Sequence, residues 1–283
     1  LSHSFGTLYV VATPIGNLED ISARALRVLR EVALIAAEDT RHSRKLLAHF
    51  GIDTPLVACH EHNERATSSH LLERLQQGQN LALISDAGTP LISDPGYHLV
   101  QQARAANIRV VPIPGACALI TALSASGLPA DGFIFDGFLP AKSSARRTRL
   151  EQLASQPQTL IFYEAPHRVL ACLADMNDVF GGERLAVLAR ELSKTFETLI
   201  SSPLNELHAK VATDSDQQRG ECVLLVAGFR ESRTDAALSA ESLHLLELLL
   251  DELPAARAAT LAAKISGKPK RLFYQAALER KPR

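Results

Sequence analysis

The chain contains no tryptophan, one methionine and four cysteines in 283 residues, and aromatic side chains make up only 5%. Scarce aromatics weigh against recognition dominated by base stacking. Cys59, Cys117, Cys172 and Cys222 form no C-x-x-C pair, which excludes a zinc ribbon, and no metal site is expected. Sparse, unpaired cysteines suit a reducing, cytoplasmic setting. No apolar run approaches the roughly 18 residues needed to span a bilayer, so no membrane partner is expected. The start, Leu1 to Gly6, has neither the basic nor the apolar region of a signal peptide. None of the 15 glycines lies two residues from another, so G-x-G-x-x-G is absent and the usual dinucleotide fingerprint with it. G-x-x-x-x-G-K-[ST], H-E-x-x-H and G-x-S-x-G are also missing, which argues against P-loop, zincin and α/β-hydrolase chemistry.

What remains is ordinary globular material, 46% hydrophobic and 22% charged, long enough for about two domains. The net charge of −1 hides a division. From Pro254 onward, Arg257, Lys264, Lys268, Lys270, Arg271, Arg280, Lys281 and Arg283 face a single acid, Glu279, giving +7 on a body of −8. A basic tail of this kind admits a nucleic-acid partner that the average charge conceals.

Short Val/Ile/Leu-rich runs at 8–12, 32–36, 56–58, 81–85 and 110–113 alternate with helical patterns at 22–30, 41–50, 66–76 and 96–106. This alternation predicts α/β with a mostly parallel, buried sheet. The pattern restarts with strands at 160–163, 185–189 and 222–227 and helices at 167–176 and 203–211; 195–200 is a candidate strand of opposite direction. The expected organisation is an α/β domain over residues 1–115, a second over 116–229, a polar linker at 230–235 and a helical segment over 240–283. In the last, Pro254 opens one helix, Gly267 ends it, and Leu272, Phe273 and Ala276 of a second turn inward. This reads as a helix-turn-helix with Lys268, Lys270, Arg271 and Arg280 outward, or as a plain helical hairpin.

In an open α/β sheet, ligands bind beyond the carboxyl ends of the strands, and there the sequence is most unusual. Thr13-Pro14-Ile15-Gly16-Asn17 follows the first strand. Ala37-Glu38-Asp39-Thr40-Arg41-His42-Ser43 follows the second, a polar run that suits either a substrate or a helix cap. Ser85 to Gly96 holds two Gly, two Pro, two Asp and two Ser, a composition that lets backbone approach a ligand closely. Pro112 to Ala118 leads into a helix of small residues. Phe162 to Arg168 and Ala189 to Lys194 place ionisable groups at later strand ends. His60 and His62 with Glu61 and Glu64 match no standard metal spacing and read as a solvated loop.

Taken in order, the segments 13–20, 37–43, 84–96, 112–118, 162–168, 189–195 and 220–229 resemble the tetrapyrrole-methylase superfamily, and within it the members that methylate ribosomal RNA. The resemblance covers residues 6–229, and the tail also fits. It implies two α/β domains with a cofactor cleft between them, S-adenosylmethionine as cofactor, a homodimer, and 16S ribosomal RNA or the 30S subunit as partner. The implied reaction is 2′-O-methylation of the ribose of cytidine 1402 in the decoding centre. The implied cofactor contacts are Pro14, Asp86, Ala87, Gly88, Thr89, Ile92, Ser93, Cys117, Ala118 and Tyr163. Cys117 stands where the superfamily usually carries a hydroxyl. Thr-Pro-Ile-Gly-Asn replaces the G-x-G-P-G loop of tetrapyrrole enzymes, which argues against a porphyrinoid substrate.

Methyl transfer needs aligned reactants, and a ribose hydroxyl needs help losing its proton. Glu38, Asp39, Arg41, Glu191 and Lys194 are the catalytic candidates, with Glu164 and Arg190 also in view. Lys142, Arg146, Arg147 and Arg149, a cluster without an acid, are candidate RNA contacts together with Lys268, Lys270 and Arg271. Two other readings stay open at this point: a methylase of corrinoid or tetrapyrrole precursors, and a DNA-binding regulator with a ligand-sensing body.

Overall fold

A computed structural model describes residues 4–60, 62–230, 238 and 240–279. Most of the linker at 230–235, together with Glu61, Arg280, Lys281 and Arg283, lies outside the described residues. The chain divides into two compact units, one ending at Phe229 and one beginning at Arg230.

The first unit holds two five-stranded sheets. In the first sheet, β1 (Thr7–Val11), β2 (Leu34–Ala37), β3 (Leu56–Ala58), β4 (Leu81–Ile84) and β5 (Arg109–Ile113) are all parallel, in the order β3-β2-β4-β1-β5. β2 and β4 are buried along their whole length, because helices cover both faces. One face packs on α1 (Ala23–Glu31) and α2 (Thr40–His49) through Val28, Leu29 and Leu47. The other packs on α3 (Glu64–Gln76) and α4 (Tyr97–Ala105) through Leu71, Leu75 and Leu99. Ser22 caps α1, its side chain accepting from the Ala25 amide at 3.1 Å.

The second sheet departs from the expected parallel restart. Its strands β6 (Phe133–Phe138), β7 (Thr159–Glu164), β8 (Leu185–Arg190), β9 (Thr198–Pro203) and β10 (Cys222–Val226) run in the order β6-β7-β10-β8-β9. Only β6 and β7 pair in parallel; β10 is inserted antiparallel between β7 and β8, and β9 is the expected reversed strand at the edge. The uniform burial of β10 does not require parallel neighbours. It needs both faces covered: by α5 (Ala118–Ser126) on one side, and by α6 (Ser143–Leu153), α7 (Val169–Phe180) and α8 (Leu204–Thr213) on the other. β6 escapes a pattern reading because its burial is intermediate and its pairing with β7 is interrupted by an irregularity between Phe135 and Phe138.

The second unit is helical: α9 (Ala240–Glu252), α10 (Ala255–Ser266) and α11 (Lys270–Glu279). Gly267 ends α10 at φ +72, its amide bonded to the Ala263 carbonyl. Ala258, Ala259 and Ala262 of α10 let α11 approach closely, and Phe273 and Ala277 fill the seam with Leu246. Phe273 and Ala276 pack inward as expected, Ala276 only partly buried; Leu272 stays outside this cluster, and Ala277 takes the second core position. No helix among the described residues is long and apolar enough to cross a membrane.

Phe273 is the largest fully buried side chain of this small core. Phe273→Ala is expected to cost about 3–5 kcal/mol. Hydrogen exchange should show faster exchange in residues 240–279 and unchanged protection in the two sheets.

Candidate functional site

The carboxyl ends of β1, β2, β4 and β5 all lead into loops that converge on one cavity of about 430 Å³. The convergence is enforced by backbone. Thr13 donates its amide to the Gly88 carbonyl at 2.8 Å, and Gly88 returns the bond to the Thr13 carbonyl at 3.1 Å. The buried Thr13 hydroxyl donates to the Ser85 carbonyl. Gly88 sits at φ +83, and a Cβ there would stand 3.2 Å from Ile15; only glycine fits this turn without strain. Farther along, the Asp39 amide donates to the Asp86 carboxylate at 3.0 Å, tying the loop after β2 to the loop after β4.

The other half of the wall comes from the second sheet. Tyr163, near the end of β7, accepts the Leu119 amide on its hydroxyl at 3.2 Å. The Cys117 thiol makes no cap at the start of α5, and the Tyr163 phenol satisfies a first-turn amide instead. Burial, then the Cys117 sulfur, pushes the Tyr163 phenol far up, so it stays protonated. Thr89 donates to the Ala116 carbonyl at 3.0 Å and closes the seam between the two halves.

Of the ten expected cofactor contacts, Asp86, Ala87, Gly88, Thr89, Ile92, Ser93, Cys117, Ala118 and Tyr163 line this cavity. Pro14 does not; it is buried behind the loop. The catalytic candidates divide more sharply, and here the expectation needs correction. Glu38 alone lines the cavity. Asp39 caps α2, accepting the Arg41 amide at 2.8 Å, and pairs with the Arg41 guanidinium at 2.9 Å. Those bonds from Arg41 hold its carboxyl down at about 2, which makes it a poor proton acceptor. Arg41 is itself 87% exposed, outside the cavity. Lys194 is shared between Glu191 at 2.9 Å and Glu221 at 3.3 Å, and Glu191 also accepts the Glu221 amide. Burial works against ionisation of Glu191, but those partners outweigh it and keep its carboxyl below the usual range. The Lys194 stem lies where a Cβ on Gly16 would stand, so it packs as a strut. Arg190 is buried and already bonded to Thr198, Gln217 and the Phe196 carbonyl.

Sequence reasoning missed two carboxylates on the wall. Asp94 lies in a loop conspicuous for its backbone, and its own side chain turns into the cavity. Burial, then the charges of Glu38 and Asp86, pushes its carboxyl up to about 7. Burial followed by Asp86 also raises Glu38. Glu221, with Cys222 and Val223, reaches the cavity only because β10 runs antiparallel, which the residue pattern does not disclose. Glu164, a further candidate from the sequence, lines the cavity but is fully buried and paired to Arg168 at 3.1 Å.

The basic cluster at 142–149 also needs correction. Arg146 is buried, bonded to Asp175 at 2.7 Å and to the carbonyls of Pro140 and Ala141. Arg147 pairs with Asp178 at 2.7 Å, and Arg149 forks onto Asp136. The acids missing from the local sequence arrive from β6 and α7. Lys142 remains exposed and outside these pairs, and Arg147 and Arg149 are half-exposed. In the helical unit, Lys270 and Arg271 are exposed and Lys268 is partly so.

Comparison with known proteins gives a consistent result. Residues 7–208 match the family described as tetrapyrrole (corrin/porphyrin) methylases, and residues 236–281 match the RsmI C-terminal HTH domain. The chain is 68% identical to ribosomal RNA small subunit methyltransferase I of Pseudomonas aeruginosa, over 98% of each chain. It is 56% identical to the protein of the same name from Escherichia coli O157:H7, over 98% of this chain and 96% of that one. Among solved structures it is similar to diphthine synthase (TM-score 0.59, 14% identity, 78% of this chain and 90% of that one). It is also similar to uroporphyrin-III C-methyltransferase from Thermus thermophilus complexed with S-adenosylhomocysteine (TM-score 0.55, 18% identity, 78% and 97%). At these identities the structural likeness speaks for the fold alone.

The pairing of Arg146 can be checked by stability. Asp175→Ala leaves a buried guanidinium without its counter-ion and is expected to cost about 3–5 kcal/mol in denaturant unfolding. Arg147→Ala, at a partly exposed pair, is expected to cost about 1 kcal/mol or less.

Proposed function

Because the chain belongs to the tetrapyrrole methylase family, and within it to the ribosomal RNA small subunit methyltransferase I family, we propose that it transfers a methyl group from S-adenosylmethionine to the ribose 2′-hydroxyl of cytidine 1402 in 16S ribosomal RNA. The observation that carries this reading is the coincidence of the converging loops with a ligand-sized cavity. It is within the roughly 300–1,000 Å³ of small-molecule sites, and close backbone at Ala87–Thr89 forms one side of it. The residues present fit such a cofactor. Ile15, Ile92, Leu192 and Val223 supply apolar wall, and the wall carboxylates suit a cation. When bound, S-adenosylmethionine supplies a methyl carbon activated by a sulfonium.

The chain's own part is to orient and to manage one proton. The Thr13–Gly88 bridge fixes the floor, and Leu192 closes the far side of the cavity. Asp94, with its carboxyl near 7, is the wall group matched to accepting the hydroxyl proton at neutral pH. Arg41, fully solvated at the end of its pair with Asp39, and Lys142 stand ready for phosphates outside the cavity. Lys270 and Arg271 of the helical unit do the same on their own surface. A homodimer accords with the large exposed apolar side chains Phe196 and Tyr97 on the first unit. The four free cysteines accord with work in the cytoplasm, beside the ribosome.

The test is transfer of tritiated methyl to undermethylated 30S subunits and to free 16S RNA, followed by nucleoside analysis. Label in 2′-O-methylcytidine is expected; label in a base, in a tetrapyrrole or nowhere rejects the reading. A chain ending at Phe229 is expected to keep cofactor affinity and to bind RNA more weakly. The slope of log affinity against log salt should shrink by about 0.7–0.9 for each phosphate that the shortened chain no longer neutralises.

A further inference from the structure

Among the described residues, five carboxylates line the cavity, and no lysine, arginine or histidine does. Two of the five meet a cation: Glu164 meets Arg168 at 3.1 Å, and Glu221 meets Lys194 at 3.3 Å, a lysine it shares with Glu191. Glu38, Asp86 and Asp94 have no cation within ion-pair distance among the described residues. The other groups facing this trio are few. Asp39 is neutralised by Arg41; His60, at the end of β3, faces Glu38; the Ser85 hydroxyl and the Asp86 amide offer hydrogen bonds; Tyr163 faces Asp94 from across the cavity as a neutral phenol. Carboxylates brought together in a half-enclosed cavity without a cation disfavour one another's ionisation. Both Asp94 and Glu38 are raised, and Asp94, at about 7, retains a proton for part of the time near neutrality.

We propose that Glu38, Asp86 and Asp94 determine specificity by reading the charge of the ligand: a cationic methyl donor displaces the proton kept by Asp94, whereas the neutral-sulfur product leaves it in place. The inference rests on the cavity being the S-adenosylmethionine site. The proton passes from the carboxyl group to solvent, and no other bond is made or broken. Arrival of the donor ionises Asp94, which converts it into a proton acceptor only when a methyl group is available. Loss of the positive charge on transfer removes the attraction and favours release of the product.

Isothermal titration calorimetry of the full chain tests this, with S-adenosylmethionine, S-adenosylhomocysteine and the cationic amine analogue sinefungin. Each is titrated in buffers of different ionisation enthalpy between about pH 5.5 and 7.5. Near pH 7 the two cationic ligands are expected to release about half a proton more than S-adenosylhomocysteine. The affinity ratio of donor to product should fall by up to about tenfold per pH unit below the Asp94 titration. Asp94→Asn, nearly isosteric, should abolish both effects, and His60→Gln should leave them in place. Equal proton release for donor and product at every pH overturns the proposal with the unmodified chain alone. So does a difference that survives Asp94→Asn and disappears in His60→Gln. If none of the three ligands binds, the cofactor reading falls and the proposal with it; if all bind with a pH-independent ratio, only the proposal falls.

Discussion

The reciprocal pair of hydrogen bonds between Thr13 and Gly88 is what the functional half of the molecule is built on. β1 and β4 are neighbours in the first sheet, and beyond their ends the two loops would otherwise separate. The bridge extends their contact past the strands and forces both chains upward, so Ile15 and the Ala87–Thr89 backbone become wall rather than surface. The Asp39–Asp86 bond then fastens the loop after β2 to the same frame. Such over-determination lets the molecule carry unusual backbone. Among the described residues, five that are not glycine have positive φ, and four of them, Leu91, Ser93, Glu191 and Ser193, lie in the two loops flanking the cavity. Each is unfavourable by itself and persists because the surroundings leave no alternative. On the far side, Ser193 donates to Asp20 and Lys194 lies over Gly16, so the strained loop after β8 is fastened back onto the loop after β1.

Charge is distributed as deliberately as backbone. All three arginines of the first unit's basic stretch are paired internally: Arg146 with Asp175, Arg147 with Asp178, Arg149 with Asp136. The cavity wall is anionic, and accessible cations of the first unit, Arg41 and Lys142 among them, stand outside it. A phosphodiester is therefore repelled from the cavity and attracted around it. An RNA strand that binds under this field keeps its phosphates outside and can present only an uncharged group, such as a ribose hydroxyl, inward.

The first sheet was legible in the sequence because its strands are uninterrupted apolar runs bounded by turn residues, and its loops were legible because their composition is extreme. The ionisable groups were not, for a consistent reason. Whether Arg146 is a free cation depends on Asp175, 29 positions away on another helix. Whether Lys194 is a base or a strut depends on Gly16 and Glu221. Asp39 looks catalytic for its place after a strand, yet its side chain is turned to its own helix. Small residues declare a close approach by themselves; a charged residue declares nothing until its partner is known. Asp94 is hidden differently. The glycines and prolines around it draw attention to the backbone, and its environment is made by Glu38 and Asp86, which only the folded sheet brings together.

The antiparallel insertion of β10 explains why the second sheet departs from the pattern of the first. In a wholly parallel sheet every strand ends at the site and every strand begins at the opposite edge. Reversing β10 sets its start, Cys222, level with Glu164 at the end of β7 and Arg190 at the end of β8. Three chain segments thereby reach the cavity where two would, and Glu221 arrives with them. Both carboxylates on this side meet a cation, Arg168 for Glu164 and Lys194 for Glu221. The side formed by the first sheet has no such compensation for Glu38, Asp86 and Asp94. The cavity is thus polarised across its width, partly compensated toward the second sheet and uncompensated toward the first, a field that orients a ligand carrying one localised positive charge as well as attracting it.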